Sequence, residues 1–149
     1  MKIALASDHA GFRLKEQIKE YLIAKDKKCH DFGTYDEDPV DYPDLAYVAA
    51  DAVHRGDFDR GILVCGTGIG VAITANKVRG IRAAPCSDIF SARCARAHND
   101  ANILTLGARV IEKETALEIV ETFLQTSFEG GRHLRRLEKI QNLEDKCLS

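Results

Sequence analysis

The 149-residue chain lacks the features that would assign it at a glance. It has no charge excess: its formal net charge is −2 and its pI about 6.2. A nucleic-acid binder more often carries a strong basic surplus. It has no apolar run near the ~20 residues of a membrane span. The first apolar run, in MKIALASDHAGF, is cut short by Asp8 and His9. It reads as a first strand rather than a signal peptide, which implies a cytoplasmic protein. Its five cysteines, Cys29, Cys65, Cys86, Cys94 and Cys147, include no C-x-x-C pair. The odd count and wide spacing argue against a disulfide framework or a structural zinc site, and for reduced thiols. No H-x-x-x-H pair or Cys/His cluster argues for a metal, and His30 and His54 join no arrangement. Linkers, repeats and low-complexity stretches are also missing. The length suits one hydrophobic core and not two, so residues 1–149 are expected to form a single domain.

What is present is a regular alternation. Apolar runs at Ile3–Ala6, Gly61–Cys65, Ile81–Pro85 and Ile103–Leu106 read as strands, and a weak strand is expected near Lys28–Phe32. Between them the apolar spacing turns helical, as in Leu14, Ile18, Tyr21 and Leu22, or Leu45, Ala46, Ala49, Ala50 and Val53. Gly33–Asp44, with two prolines and five acidic residues, reads as a loop. Helices are also expected after the Gly61–Cys65 strand to about Lys77, from a cap at Ser87 or Asp88 to His98, and over Glu114–Leu124. Gly130-Gly131 breaks the chain before a last helix over Arg132–Asp145. The pattern predicts a Rossmann-like three-layer α/β/α sandwich: a five-stranded parallel sheet covered on both faces, with an extra C-terminal helix. Ligands of such sheets bind at the carboxyl ends of the strands. Three strands end there in polar, chemically capable residues: Ser7-Asp8-His9, Cys65-Gly66-Thr67 and Cys86-Ser87-Asp88. The last helix has an apolar side at Leu137, Ile140 and Leu143. That side either covers its own sheet or packs on a partner subunit.

The stretch GILVCGTGIG, residues 61–70, carries the strongest local signal. A dinucleotide fingerprint would need a third glycine where Val71 stands, and there is no Walker sequence. A cysteine phosphatase would need an arginine at that same position. What remains is a tight turn that can expose successive N–H groups to an anion or a developing oxyanion, or else a plain strand-to-helix turn. Cys65 stands just before the turn, as a nucleophile, a base or a buried strand-end residue. A free thiol ionises at a pKa of about 8.5, lower beside a cation. Asp8-His9 can hold substrate hydroxyls or an anion, or simply cap a helix. His98 can be catalytic or can favour a helix C-terminus. Arg132 and Arg136, four apart, share a helix face that suits a phosphate, or form a solvated basic helix end.

Together these residues resemble the ribose-5-phosphate isomerase B family, within the wider group of ribose/galactose isomerases. The resemblance rests on SDHAGF at 7–12, DYP at 41–43, CGTGIG at 65–70, ANK at 75–77, GIRA at 80–83, HNDAN at 98–102 and EGGRH at 129–133. It runs almost the full length of the chain. It implies interconversion of ribose 5-phosphate and ribulose 5-phosphate through an enediolate, in the non-oxidative pentose phosphate pathway. It also implies no metal or other cofactor, and a homodimer or dimer-based tetramer with active sites at the subunit interface. By the same resemblance Cys65 is the base, Thr67 moves the hydroxyl proton, and the N–H groups of Gly66, Gly68, Ile69 and Gly70 hold the enediolate. His98 opens the sugar ring. Asp8 and Asn99 orient hydroxyls, and Tyr42 lines the sugar site. His9, Arg132 and Arg136 bind the phosphate, with Arg109 as a further contact. Some members of the family place a glutamate base after the glycine loop; here Val71–Ala75 holds no carboxylate, which selects the cysteine. An allose- or galactose-6-phosphate isomerase is the nearest alternative. A nonenzymatic nucleotide-binding α/β module is a more distant one, and it leaves Cys65, His98 and the two arginines without a use.

Overall fold

The computed structural model describes residues 1–147. Five strands, β1 (Lys2–Ser7), β2 (Lys28–Asp31), β3 (Arg60–Cys65), β4 (Ala83–Pro85) and β5 (Ile103–Gly107), form one parallel sheet in the order β2-β1-β3-β5-β4. The helices are α1 (Phe12–Ala24), α2 (Tyr42–His54), α3 (Ile69–Ala75), α4 (Ile89–Ala97), α5 (Lys113–Gln125) and α6 (Arg132–Cys147). This is the expected Rossmann-like α/β sandwich. No described helix is long and apolar enough to cross a membrane.

Both sheet faces are buried along β1, β3 and β5, which is why these strands read as largely apolar runs. Ile3, Leu5, Ile62, Val64, Leu104 and Leu106 point to one face, against Leu14, Ile18 and Leu22 of α1, Ala92 and Ala95 of α4, and Ile119, Val120 and Phe123 of α5. The other face is built of smaller residues. Ala4, Ala6, Leu63 and Cys65 meet Ala46, Ala49 and Ala50 of α2 and Val71 and Ala75 of α3. Alanine on both sides lets these helices seat close to the strands.

Two boundaries differ from the sequence reading. α2 begins at Tyr42, inside the expected loop, because Pro43 fits the first turn of a helix, where its missing N–H costs nothing. The fourth strand is shorter than expected. Gly80–Ala83 is held by side chains where a ladder was expected: Arg82 N–H donates to Asn102 Oδ1 (2.8 Å) and Ala83 N–H to Asn76 Oδ1 (2.8 Å). Asn76 Nδ2 donates to Ala83 O and Asn102 Nδ2 to Gly80 O. The ANK, GIRA and HNDAN motifs are thus partly scaffold.

Lys15 is fully buried, an unusual place for an ammonium. Its Nζ donates to both carboxylate oxygens of Asp31 (2.6 and 2.7 Å) and to Thr34 O (2.5 Å). Burial pushes the Asp31 carboxyl up, but Lys15, the Gly33 N–H and Lys19 outweigh it and hold it below the usual carboxylate range. A lowered carboxyl contributes stability that is intact above its unfolded value, about pH 4, and is lost as pH falls through the folded one. Lys15→Met is expected to cost about 3 kcal/mol, near the low end for a broken buried pair, because Lys19 still reaches Asp31. Urea titration measures this; a loss below about 1 kcal/mol would contradict it.

Candidate active site

The residues singled out by sequence fall into two groups. One lies at the carboxyl rim of the sheet, where Asp8 and His9 follow β1, Cys65 ends β3 and Arg109 follows β5. Cys65 is buried, and its Sγ accepts a hydrogen bond from Gly68 N–H at 3.2 Å. Thr67 is exposed, and its Oγ1 accepts from Ile69 N–H at 3.2 Å.

The loop between β3 and α3 is stitched to β5 through its carbonyls. Cys65 O accepts from Ala108 N–H (2.8 Å), Gly66 O from Arg109 N–H (3.0 Å) and Gly68 O from Thr105 Oγ1 (2.7 Å). In a trans peptide the carbonyl and the next N–H point in opposite directions. The N–H groups of Gly66, Thr67 and Ile69 are therefore turned away from β5. Those of Gly66 and Thr67 meet no protein acceptor among the described residues. Gly68 makes the turn possible with φ at +78°, a left-handed conformation that favours glycine. Gly107 lets the loop sit down on β5, since a Cβ there would fall 2.6 Å from Thr67 C. The ring of Tyr42 lies against Gly70 and closes the α3 side of the loop.

Around this loop, Asp8 is buried, and one of its carboxylate oxygens accepts from Gly11 N–H at 3.0 Å. That contact is the turn-capping one, and it leaves the second oxygen for other work. His9 Nδ1 accepts from Val40 N–H at 3.2 Å. A nitrogen that accepts from an amide carries no proton, so the His9 proton sits on Nε2. The guanidinium of Arg109 folds over Gly66, with Nη1 3.2 Å from the position a Cβ on Gly66 would take.

The third rim stretch borders the loop: Cys86 and Ser87 line a cavity of about 300 Å³ with Thr67, Ile69 and Gly107. Burial, then the charge of Asp88, pushes the Cys86 thiol up to about 11, so it stays protonated. Asp88 caps α4 by accepting from Ser91 N–H at 2.6 Å.

The second group, His98, Asn99, Arg132 and Arg136, lies at the opposite, amino end of the sheet. α4 returns there after β4, and His98 ends it just before β5 begins. The length of β3, roughly 17 Å at ~3.3 Å per residue, separates the two groups. The His98 ring stacks on that of His133, with centroids 4.2 Å apart and planes 10° from parallel. Burial, then the neighbouring His98 and Arg132, hold His133 below the usual imidazole value. His133 was missed in the sequence, although it sits in the EGGRH motif. Its Nε2 is buried without a hydrogen-bond partner, 3.6 Å from the Glu129 carboxylate. His98, Glu129 and His133 are close enough to share an ion. The ring lone pairs, however, lie in two stacked, nearly parallel planes, a poor arrangement for two nitrogens to meet at one ion. Asn99 is exposed, and its carbonyl accepts from Arg82 Nε at 3.0 Å. Arg132 and Arg136 are exposed and form no ion pair among the described residues.

α6 carries this second group across the amino end. Its far end is fixed by the Glu144 carboxylate, which accepts from Gly80 N–H (3.0 and 3.1 Å), and by the Arg79–Asp145 pair. Its apolar side does not cover the sheet: Ile140 and Leu143 are 50% and 61% exposed, while Leu137 is half-buried near Gly80, Ile81 and Arg82. Ile140 and Leu143 line an open cavity of about 460 Å³ with Ile81, Arg82 and Asn99.

Fold and rim together define a Rossmann-like α/β protein in which a strand-end loop surrounds a thiol and a hydroxyl with outward-turned amides. The chain belongs to the Ribose/Galactose Isomerase family, whose profile matches residues 3–140. A ribose-5-phosphate isomerase B from Clostridium thermocellum is 51% identical and superposes with a TM-score of 0.97, covering 98% of this chain and 99% of that one. The ribose-5-phosphate isomerase B from Mycoplasma genitalium, solved with bound ribulose-5-phosphate, is 44% identical with a TM-score of 0.93, covering 97% of each chain. A D-erythrulose-4-phosphate isomerase from Pectobacterium atrosepticum is 48% identical over 143 residues, 94% of this chain and 93% of that protein.

Proposed function

We propose that the chain is a cytoplasmic aldose–ketose isomerase that interconverts ribose 5-phosphate and ribulose 5-phosphate at a site completed by a second copy of itself. The observation that carries this reading is the loop Cys65–Gly70. It places a thiol, a hydroxyl and outward-turned amides within a few residues of one another. That set matches what proton transfer between adjacent carbons needs: a base, a carrier for the hydroxyl proton, and donors for the oxyanion.

In the open-chain aldose the Cys65 thiolate takes the C2 proton. The C2–H bond breaks, an S–H bond forms, and the electron pair moves through a new C1–C2 double bond onto O1. The loop N–H groups that meet no protein acceptor among the described residues, those of Gly66 and Thr67, hold that oxyanion; Gly68 and Ile69, expected to share in this, spend theirs on Cys65 Sγ and Thr67 Oγ1. The Thr67 hydroxyl relays the proton from O2 to O1. The Cys65 S–H then returns its proton to C1 as the carbonyl re-forms at C2. No oxidant or reductant enters the balance. His98 of the second copy opens the furanose by passing the C1 hydroxyl proton to the ring oxygen. Asp8 and Asn99 orient hydroxyls, and Tyr42 walls the sugar pocket. His9, through Nε2–H, and Arg109 meet the phosphate from the rim, while Arg132 and Arg136 meet it from the second copy. His133 extends that basic group.

Two observations support the dimer. The two residue groups cannot reach one substrate within a single chain, being about a sheet-length apart. The exposed apolar side of α6 adjoins the group that would have to be delivered. Further assembly to a tetramer is compatible with this pairing.

The sugar is chosen on the relatives named ribose-5-phosphate isomerase B, but the relative that acts on erythrulose 4-phosphate is similar at the same level. A coupled assay with ribose 5-phosphate, erythrulose 4-phosphate, allose 6-phosphate and galactose 6-phosphate, in EDTA, tests the reading. The highest kcat/KM is expected for ribose 5-phosphate, unchanged by the chelator. A higher value for another sugar would reassign the substrate, and loss of activity in EDTA would overturn the metal-free mechanism. ATP binding with no turnover of any sugar would favour a nucleotide module instead.

A further inference from the structure

Thr105 interrupts an otherwise apolar strand, Ile103-Leu104-Thr105-Leu106, and is fully buried. A hydroxyl at such a position costs free energy unless it is bonded, and valine would fill the same space without that cost. The Thr105 hydroxyl is bonded to the loop: Oγ1 donates to Gly68 O at 2.7 Å, across 37 residues of sequence. We infer that Thr105 is a positioning residue for the isomerisation, its hydroxyl holding Gly68 so that the Gly68–Ile69 peptide sets Thr67 and the adjoining Gly68 N–H sets Cys65. This inference rests on the reading of those two residues as the proton-transfer pair.

Two peptide planes meet at Gly68, one bonded to Thr67 and Thr105 and the other to Cys65. With Gly68 O drawn toward β5, the Ile69 N–H on the same peptide points the other way and donates to Thr67 Oγ1 at 3.2 Å. That bond occupies an acceptor position on Thr67 and leaves its own proton for a substrate oxygen. On the other side of the same residue, Gly68 N–H donates to Cys65 Sγ at 3.2 Å. The sulfur lone pair that meets this donor is fixed, so the position from which the thiol gives or takes its proton is fixed with it. Gly68 thus ties Cys65, Thr67 and Thr105 together. The two neighbouring stitches, from Ala108 and Arg109 N–H, are backbone bonds that survive side-chain substitution. Of the three carbonyl stitches, only the one from Thr105 is encoded by a side chain. Gly68 also caps α3, and its carbonyl opens the first turn of that helix. Without the Thr105 hydroxyl, the 68–69 peptide loses its tie to β5 and is held by that first turn alone.

The test compares Thr105→Val, Thr105→Ala and Thr105→Ser with Cys65→Ala, in steady-state kinetics on ribose 5-phosphate, with thermal melting as a check on folding. Thr105→Val and Thr105→Ala are expected to lower kcat about 10- to 100-fold with KM within about twofold, the size expected for one lost buried hydrogen bond transmitted to the transition state. Thr105→Ser, which keeps the hydroxyl, is expected to recover kcat to within about threefold of the wild type. Wild-type kcat in a hydroxyl-free variant would overturn the inference. So would equal impairment of Thr105→Ser and Thr105→Ala, which would mark a packing effect. If Thr105→Val does not fold, the Ser and Ala pair decides. An active Cys65→Ala enzyme would instead overturn the parent reading, whatever Thr105 does.

Discussion

Cys65→Ala is expected to lower kcat for ribose 5-phosphate on the order of 10³-fold or more while KM stays within about threefold. The thiol ends β3 with its sulfur held by Gly68 N–H, and no carboxylate follows in the next helix to take over as base. The phosphate contacts that dominate ground-state binding lie elsewhere, so the substrate still binds. The variant keeps its fold, because losing one buried sulfur removes little packing volume. Coupled kinetics and calorimetric titration with ribose 5-phosphate measure the two effects separately. Turnover within tenfold of the wild type would remove Cys65 as the base.

The double variant Arg132→Ala/Arg136→Ala is expected to raise KM by on the order of 10²-fold or more, with a smaller loss in kcat. Each charge-assisted contact to a phosphate oxygen contributes about 1.5–3 kcal/mol. Both side chains are exposed at the start of α6, and neither forms an ion pair among the described residues. Their loss should therefore leave the melting temperature almost unchanged. A fivefold or smaller change in KM would show that the phosphate is held without them.

The sequence made the architecture legible because both faces of the sheet are buried along β1, β3 and β5: these mostly apolar strands stand out from helices with one apolar side. It misread β4, because Asn76 and Asn102 replace ladder bonds with side-chain bonds that leave no periodic trace. It located the glycine loop by its composition. It did not reveal which way the loop's amides point, since that depends on carbonyl contacts with β5, about 40 residues further on. Thr105 could have been noticed as the one hydroxyl in an apolar strand. Lys15 could not, because a cation on an amphipathic helix ordinarily faces water. His98, Arg132 and Arg136 were identified by type. Their distance from Cys65 became visible only once α4 and α6 were placed at the amino end of the sheet.

Mixing two variants that are each nearly inactive at low substrate tests the shared site most directly. Cys65→Ala damages the rim group, and Arg132→Ala/Arg136→Ala damages the amino-end group. If each site takes its two groups from different copies, a mixed dimer has one site with both lesions and one site with none. Random re-pairing of equal amounts makes half of the dimers mixed, so activity is expected to rise to about a quarter of the wild-type value at low substrate. Activity that stays at the level of the two separate variants, in a mixture shown by mass spectrometry to contain mixed dimers, would contradict a site built across two copies.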